Sequence, residues 1–175
     1  MRIENNSIVS QRSRPRYTNR HSTQTLGQGL EEYYTANPNL TDPRELPLEF
    51  SQILLAHDIT HIILGCDTDM YDELKLLPLC FWTSDFKFRD YLRVVRDPKI
   101  RPAIGIMYDD LVKQHGQFRL YASIVSVLPR LLPKIILIWF ETRGTRKYYP
   151  FFDYESQLDR SLLEIRQEFE LLPFI

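Results

Sequence analysis

Two histidines on the apolar face of one helix constrain this chain more than any other feature. The sequence carries the pattern His57-Asp58-x-x-His61, followed after eleven residues by Glu73. A helical repeat of about 100° per residue puts both histidines on one face, beside apolar residues such as Leu54. Because the opposite side is also apolar, we expect this helix to be buried nearly all round. The Asp58 carboxylate then needs a cation, a donor or a proton.

The segment between His61 and Glu73 predicts a reversal of the chain. One continuous helix, rising about 1.5 Å per residue, would separate these two residues by about 18 Å. No single metal bridges that distance, because its ligands lie about 2 Å away. Gly65 suits the end of a helix, and each residue from 67 to 69 suits the start of the next. We therefore predict a helix break between positions 65 and 69 that brings Glu73 back over the histidines.

The spacing predicts a divalent metal site formed by His57, Asp58, His61 and Glu73. Imidazole with two carboxylates suits zinc, manganese or iron better than magnesium or calcium, which prefer all-oxygen ligands. Two hydrogen-bonded histidines in an apolar core are the alternative interpretation. The pattern argues against a zinc protease, because Asp58 replaces the Glu of that motif. It also argues against a His-Asp hydrolase, since the only upstream histidine, His21, falls in the basic N-terminal segment.

The motif and its flanks resemble one known family. His57-Asp58-x-x-His61 with Glu73 eleven residues further is similar to the signature of coenzyme Q (ubiquinone) biosynthesis protein family four. The flanking segments 25–27, 33–34, 42–47 and 158–166 also resemble that family, so the likeness spans roughly residues 25 to 172. The segment before the histidines is shorter than in many members.

The resemblance implies a function in quinone biosynthesis. It implies a divalent metal, usually zinc, with manganese, iron and magnesium as alternatives. It also implies an isoprenoid lipid, such as a polyprenyl quinone precursor, as the ligand. The implied chemistry is removal of the ring carboxyl group with hydroxylation of the same carbon, which would make the chain a decarboxylase or hydroxylase of a prenylated aromatic acid. A non-catalytic scaffold with a structural metal is the second hypothesis.

Partners and location are also expectations from the resemblance. The partners would be other quinone-biosynthesis proteins and a membrane surface, with homodimerisation left open. The location would be intracellular and peripheral to a membrane, at the cytoplasmic face in a bacterium or the inner mitochondrial membrane in a eukaryote.

The composition is consistent with a single domain in a reducing compartment. The formal net charge of −1 argues against nucleic acid as the partner. Cys66 and Cys80 form no CxxC pair, which favours a reduced intracellular compartment. Five arginines and one acid occur among the first twenty residues, which contain no apolar core typical of a secretory signal. We expect residues 1–22 to be a basic disordered tail, with a transit peptide or a lipid-contacting segment as alternatives, and residues 23–175 to form the domain.

The remaining pattern predicts an all-α fold, a single compact bundle of about six or seven helices. We expect helices near 27–36, 47–64, 84–95, 102–114 and 157–169, and one from about residue 69 that Pro78 ends or kinks. Residues 135–140 could be a buried strand by propensity, but no second strand of comparable strength is available to pair with them, so we expect a helix there. The apolar segments 124–128 and 135–140 are separated by Pro129 and Pro133, so neither reaches the roughly 20 residues of a membrane span. They could be core, line a channel for a prenyl chain, or enter a membrane interface. Beyond the metal motif, the acid–base candidates are Asp67, Asp69, Asp72 and His115. The alternative interpretation is that these residues are helix caps or surface charges.

Overall fold

The structure, a computed structural model, describes residues 14–144 and 146–175. This part of the chain contains seven α-helices and no β-strand. The all-α prediction is therefore confirmed. The predicted tail at residues 1–13 lies outside the described residues. In chain order the helices are α1 (Leu26–Ala36), α2 (Leu48–Ile63), α3 (Met70–Thr83), α4 (Phe88–Arg96), α5 (Arg101–His115), α6 (Gln117–Thr142) and α7 (Leu162–Glu168).

Helix α2 lies at the centre of the fold and contacts α1, α3, α5 and α7. Its sequence has apolar residues on nearly every side, so a central position satisfies all of them. Ile59 and Ile62 are fully enclosed in the main apolar core. The histidine motif therefore sits inside the bundle.

The predicted break between α2 and α3 is confirmed. α2 ends at Ile63, and Gly65 adopts a left-handed conformation with φ of 61°. Asp69 caps the start of α3, where its carboxylate accepts hydrogen bonds from the backbone N–H groups of Tyr71 and Asp72. Both signals act within a few residues of the chain, which is why the sequence reveals them.

A buried arginine from the end of the chain completes the cap of α2. Arg166 of α7 is fully buried, and its guanidinium donates to the carbonyl oxygens of Ile62 at 2.7 Å and Ile63 at 2.9 Å. It also donates to the carbonyls of Tyr17 at 2.6 Å and Asn19 at 2.6 Å. One side chain thus joins the N-terminal segment, the end of α2 and α7.

Residues 14–22 belong to the packed domain, although their basic composition predicted that they are part of a disordered tail. Tyr17 is fully buried in the core, and Glu32 of α1 accepts hydrogen bonds from the backbone N–H groups of Arg16 and Tyr17. The Arg14 guanidinium contacts the buried carboxylate of Asp72. Basic composition predicted a solvated tail here, but these ion pairs and one aromatic residue hold the segment in place.

Some predicted helix ends are wrong. α4 begins at Phe88 rather than 84 or 85, because Ser84 bridges to Tyr149 and the Asp85 carboxylate accepts a hydrogen bond from the backbone of Phe151. α7 begins only at Leu162, after the side chain of Ser161 caps it. α3 includes Pro78 and continues to Thr83, so of the two outcomes expected at Pro78 the helix does not end there.

The two apolar segments predicted as separate form one helix, α6, which continues through Pro129 and Pro133. Both prolines are exposed, so water can hydrate the carbonyls that lose a backbone donor. α6 packs along α3 and buries Leu120, Leu131 and Ile138. Among the described residues it is also the one helix that is long and apolar enough, by length and composition alone, to cross a membrane.

Candidate metal centre

The reversal brings three of the four predicted ligands together. One ligand atom each from His57, His61 and Glu73 lies within 4.8 Å of the other two. The two imidazole rings meet edge to face, with centroids 4.8 Å apart. A group of this composition and spacing could hold a divalent metal ion.

His61 is the residue of this group whose surroundings most favour coordination to a metal. Its side chain is 0% exposed, and among the described residues neither ring nitrogen has a hydrogen-bond partner. Nε2 lies 3.5 Å from Oε1 of Glu73, at ion-pair distance. A buried ring nitrogen that has only this long contact is poorly satisfied, and coordination to a metal would satisfy it better. The donor set therefore fits a metal ion.

The negative charges near His61 oppose the effect of burial on its pKa. Burial lowers the pKa of His61, but the negative charges of Glu73 and Asp58 raise it by more, so the net shift is upward. The surroundings therefore stabilise positive charge at this position. A bound cation would meet the same favourable potential.

Asp58, the fourth predicted ligand, is not part of the three-residue group. It is buried, and its Oδ2 accepts a 2.7 Å hydrogen bond from the hydroxyl of Tyr34. The hydroxyl of Tyr33 lies 3.5 Å from Oδ1, and Nδ1 of His57 lies 3.3 Å from the same oxygen. The expected need of Asp58 for a donor is thus met by two tyrosines of α1. In this position the carboxylate can orient the His57 ring.

The two tyrosines beside Asp58 stay protonated. Burial, followed by the charge of Asp58, raises the pKa of Tyr33 and of Tyr34 well above the usual value. Both hydroxyls are therefore neutral donors over the physiological range.

Two cavities are lined by His57 and Glu73 of the three-residue group. The smaller, of about 50 Å³, is also lined by Asp58, Thr41 and Asp110, among others. The larger has a volume of about 340 Å³. Its walls are mainly apolar and come from α2 to α6, with Leu76, Phe81, Tyr91, Tyr108, Tyr121 and Ile124 among them. This volume lies within the usual range of small-molecule sites.

Sequence reasoning missed Asp110. It is a buried carboxylate of α5 at the small cavity, where it accepts hydrogen bonds from the backbone N–H and hydroxyl of Thr41 at 3.1 and 3.2 Å. Lys113 also lies 3.0 Å from it. Its position on the hydrophobic side of α5 was the available signal in the sequence, but only the packing of α5 on α2 places it near the histidines.

The other candidates lie outside the group. Asp69 caps α3, and Asp67 accepts a hydrogen bond from the backbone of Thr68. Asp72 is buried between Arg14 and Lys75, and its carboxylate accepts from the backbone N–H of Asp67 at 2.9 Å. These acids therefore hold the reversal in shape. The side chain of His115 lies outside the described part of the structure, and His21 is exposed.

No protein-family model, curated protein or solved structure matches this chain. The family resemblance seen in the sequence therefore remains a hypothesis about function.

Proposed function

We propose that this chain is a metal-dependent, prenyl-lipid-binding protein of ubiquinone or related prenylquinone biosynthesis. Its substrate would be a polyprenylated aromatic acid, on whose ring carboxyl group it acts. The observation that carries the proposal is that the group of His57, His61 and Glu73 borders an apolar cavity of about 340 Å³. A ligand with a polar head and an isoprenoid tail suits both surfaces at once.

The donor set supports a bound metal with room for a substrate. Three protein ligands around a tetrahedral ion such as zinc leave one position open, which is typical of catalytic sites. Manganese, iron and magnesium are the alternatives. When bound, the metal would polarise a carboxylate or phenolate oxygen of the aromatic head.

The protein's own side chains would position the site and exclude water. Asp58, held by Tyr34, would accept a hydrogen bond from the Nδ1–H of His57 and so fix the orientation of that ring. The apolar walls of the cavity would cover the first isoprene units of the tail. Water exclusion there would strengthen each electrostatic contact with the head group.

A second candidate function is a non-catalytic lipid-binding scaffold with a structural metal. The position of Asp58, 3.3 Å from Nδ1 of His57, favours it, because a small movement could add a fourth ligand. A four-ligand shell is closed and typical of structural zinc. The two functions therefore differ in whether the metal keeps an exchangeable position.

Elemental analysis of the purified chain tests the metal. We expect one divalent ion per chain, with loss of the ion in His57→Ala and in His61→Ala. His21→Ala is the matched control, because that histidine is exposed and is not part of the group, and it should keep the metal. Glu73→Gln should lower metal affinity at least tenfold (about 1.4 kcal/mol or more). Stoichiometric metal in both histidine variants would exclude the site.

Organic extraction followed by mass spectrometry tests the lipid. Protein purified without detergent should release a prenyl lipid, and a clean blank would count against the tail-binding cavity. Incubation with a prenylated hydroxybenzoic acid labelled at its carboxyl carbon then separates the two functions. Release of labelled carbon dioxide by the wild type, and not by His61→Ala, supports the enzyme, whereas bound lipid and metal without release support the scaffold.

A further inference from the structure

Helix α6 exposes a long apolar surface on the side that faces away from α3. We call this surface the α6 stripe and define it by eight side chains that are 38–87% exposed: Phe118, Tyr121, Val125, Leu128, Leu132, Ile136, Trp139 and Phe140. At about 100° per residue these positions fall within an arc of about 120°. The stripe extends for roughly 33 Å along the helix axis. An exposed apolar surface of this length indicates an interaction site.

The stripe has the composition of a membrane-interface helix. Phe118 and Tyr121 stand at its beginning, Trp139 and Phe140 at its end, and aliphatic residues fill the middle. Aromatic side chains are favoured at the boundary between lipid and water. The Arg143 guanidinium lies over the Trp139 ring, 3.6 Å from its centroid. This places a cation at the end of the stripe.

The charge of the chain is distributed very unevenly along the sequence. Residues 87–147, which include α4, α5 and α6, contain thirteen Lys and Arg but only five Asp and Glu, a formal net charge of +8. The whole chain carries −1, so the remaining residues carry −9. Arg119 and Arg130 are exposed on α6, about 60–80° around the helix from the nearer edge of the stripe, and Arg89 and Arg93 are exposed on α4. Apolar and basic groups thus occur together in the α4–α6 part of the chain.

We propose that the α6 stripe and its basic surroundings dock this protein onto a bilayer that contains anionic lipid, with α6 lying in the plane of the interface. An apolar face flanked by Lys and Arg is the pattern of such helices, and each basic group near the surface adds to the attraction. The proposal goes beyond the metal site and does not depend on it.

Two other occupants of the stripe fit the observations less well. A second copy of the chain would bring two regions of +8 against each other, which opposes association. A membrane-crossing α6 would place Arg130 and Lys134 near the bilayer centre, where charge is costly. It would also carry α3 into the lipid, because α6 packs along α3. Anionic lipid at one face satisfies both the apolar and the charged groups.

Docking would also bring the larger cavity to the bilayer. Tyr121 belongs to the stripe and lines the cavity, and its hydroxyl lies 3.4 Å from that of Tyr108 across α5 and α6. A lipid leaving the bilayer would therefore meet the cavity beside this tyrosine pair.

Vesicle flotation of the full chain tests the proposal. We expect wild type to float with mixed phosphatidylcholine–phosphatidylglycerol vesicles and to bind phosphatidylcholine vesicles at least tenfold more weakly. Val125→Glu should lower the partition coefficient at least tenfold, because it places a charge in the stripe. Ser126→Glu adds the same charge at the next exposed position, outside the stripe, and should cost no more than the roughly fivefold expected for one unit of charge near an anionic surface. Replacing Arg89, Arg93 and Arg96 by Gln should cost about fivefold per charge on anionic vesicles.

Three results would overturn the proposal. The first is equal binding to neutral and anionic vesicles, and the second is an equal loss in Val125→Glu and Ser126→Glu. The third is a wild-type oligomer in sedimentation velocity that Val125→Glu converts to monomer without any vesicle binding, which would assign the stripe to a second copy. Metal content measured on the same samples should not change. A failure of docking is thereby distinguished from a failure of the metal site.

Discussion

Nε2 of His61 lies 3.5 Å from Oε1 of Glu73, although twelve positions and a reversal of the chain separate the two residues. The distance depends on the tight connection between α2 and α3, because one continuous helix would keep the side chains about 18 Å apart. The site is therefore only as stable as the connection that begins at Gly65.

We expect Gly65→Ala to destabilise the fold and weaken metal binding. Gly65 has φ of 61°, and an added Cβ would lie 2.6 Å from Cγ2 of Ile175 and 3.3 Å from the carbonyl oxygen of Thr18. The left-handed backbone and the collision together should cost about 2–3 kcal/mol in the free energy of unfolding. Denaturant titration and metal titration measure the two effects.

Gly105→Ala is the matched control for this substitution. Gly105 lies within α5, and nothing stands within 4 Å of a Cβ built there. Alanine in a helix should add about 0.5–1 kcal/mol of stability. Equal effects of the two substitutions would mean that the conformation at Gly65 does not hold the reversal.

The parts of this fold that sequence could predict are those decided locally. The end of α2 at Gly65 and the cap at Asp69 depend on residues within one turn, so the break was predictable. Burial of Asp58 also followed from the apolar pattern, and with it the need for a donor. The identity of that donor did not, because Tyr34 belongs to another helix and only tertiary packing brings it near.

The errors have the same physical origin. Pro129 and Pro133 indicated two segments, yet the fixed φ of proline is compatible with a helix and α3 supports the opposite face of α6. The basic residues 14–22 indicated a tail, but Tyr17 finds a buried site and Arg166 binds its carbonyl from the far end of the chain. Contacts between distant segments decided both cases.

Tyr34→Phe should weaken metal binding without changing the fold. The substitution removes the 2.7 Å hydrogen bond to Asp58 and keeps the ring. Loss of the group that is hydrogen-bonded to a metal-binding histidine typically costs 10–100-fold in affinity, and because Tyr34 acts on His57 only through Asp58, we expect a loss of up to about tenfold. Tyr148→Phe, at an exposed position, is the control. Unchanged affinity in Tyr34→Phe would remove Asp58 from any role in orienting His57.

Arg166→Met should be strongly destabilising, because it removes the donors of five backbone carbonyls at the end of α2 and in residues 17–20. Burial lowers the pKa of Arg166 to about 10, still well above neutrality, so the group is charged in the folded protein. Buried carbonyls without donors cost about 1–3 kcal/mol each, and we expect a loss of at least 3 kcal/mol. Arg93→Met, on the exposed side of α4, should change stability by less than about 0.5 kcal/mol. Similar midpoints in urea for both variants would contradict the capping role.

Glu32 should make part of the stability dependent on acid pH. Its carboxylate accepts hydrogen bonds from the backbone N–H groups of Arg16 and Tyr17 and from the side chain of Gln24. Partial burial raises the pKa of Glu32, but these bonds lower it by more, so the net shift is downward.

The direction of the shift sets the pH window. Because the folded pKa lies below the unfolded value of about 4.3, the stabilisation is fully present above that value and is lost as pH falls through the folded pKa. Glu32→Gln should therefore be less stable than wild type at pH 7, and the difference should shrink steadily below about pH 4. Glu168→Gln should show a smaller difference from wild type across this pH range. Among the described residues, the Glu168 carboxylate pairs only with Arg160, and it is more exposed than that of Glu32. Urea unfolding at a series of pH values measures this difference in stability. If the difference between wild type and Glu32→Gln stays constant down to about pH 3, the carboxylate does not hold residues 16 and 17 against α1.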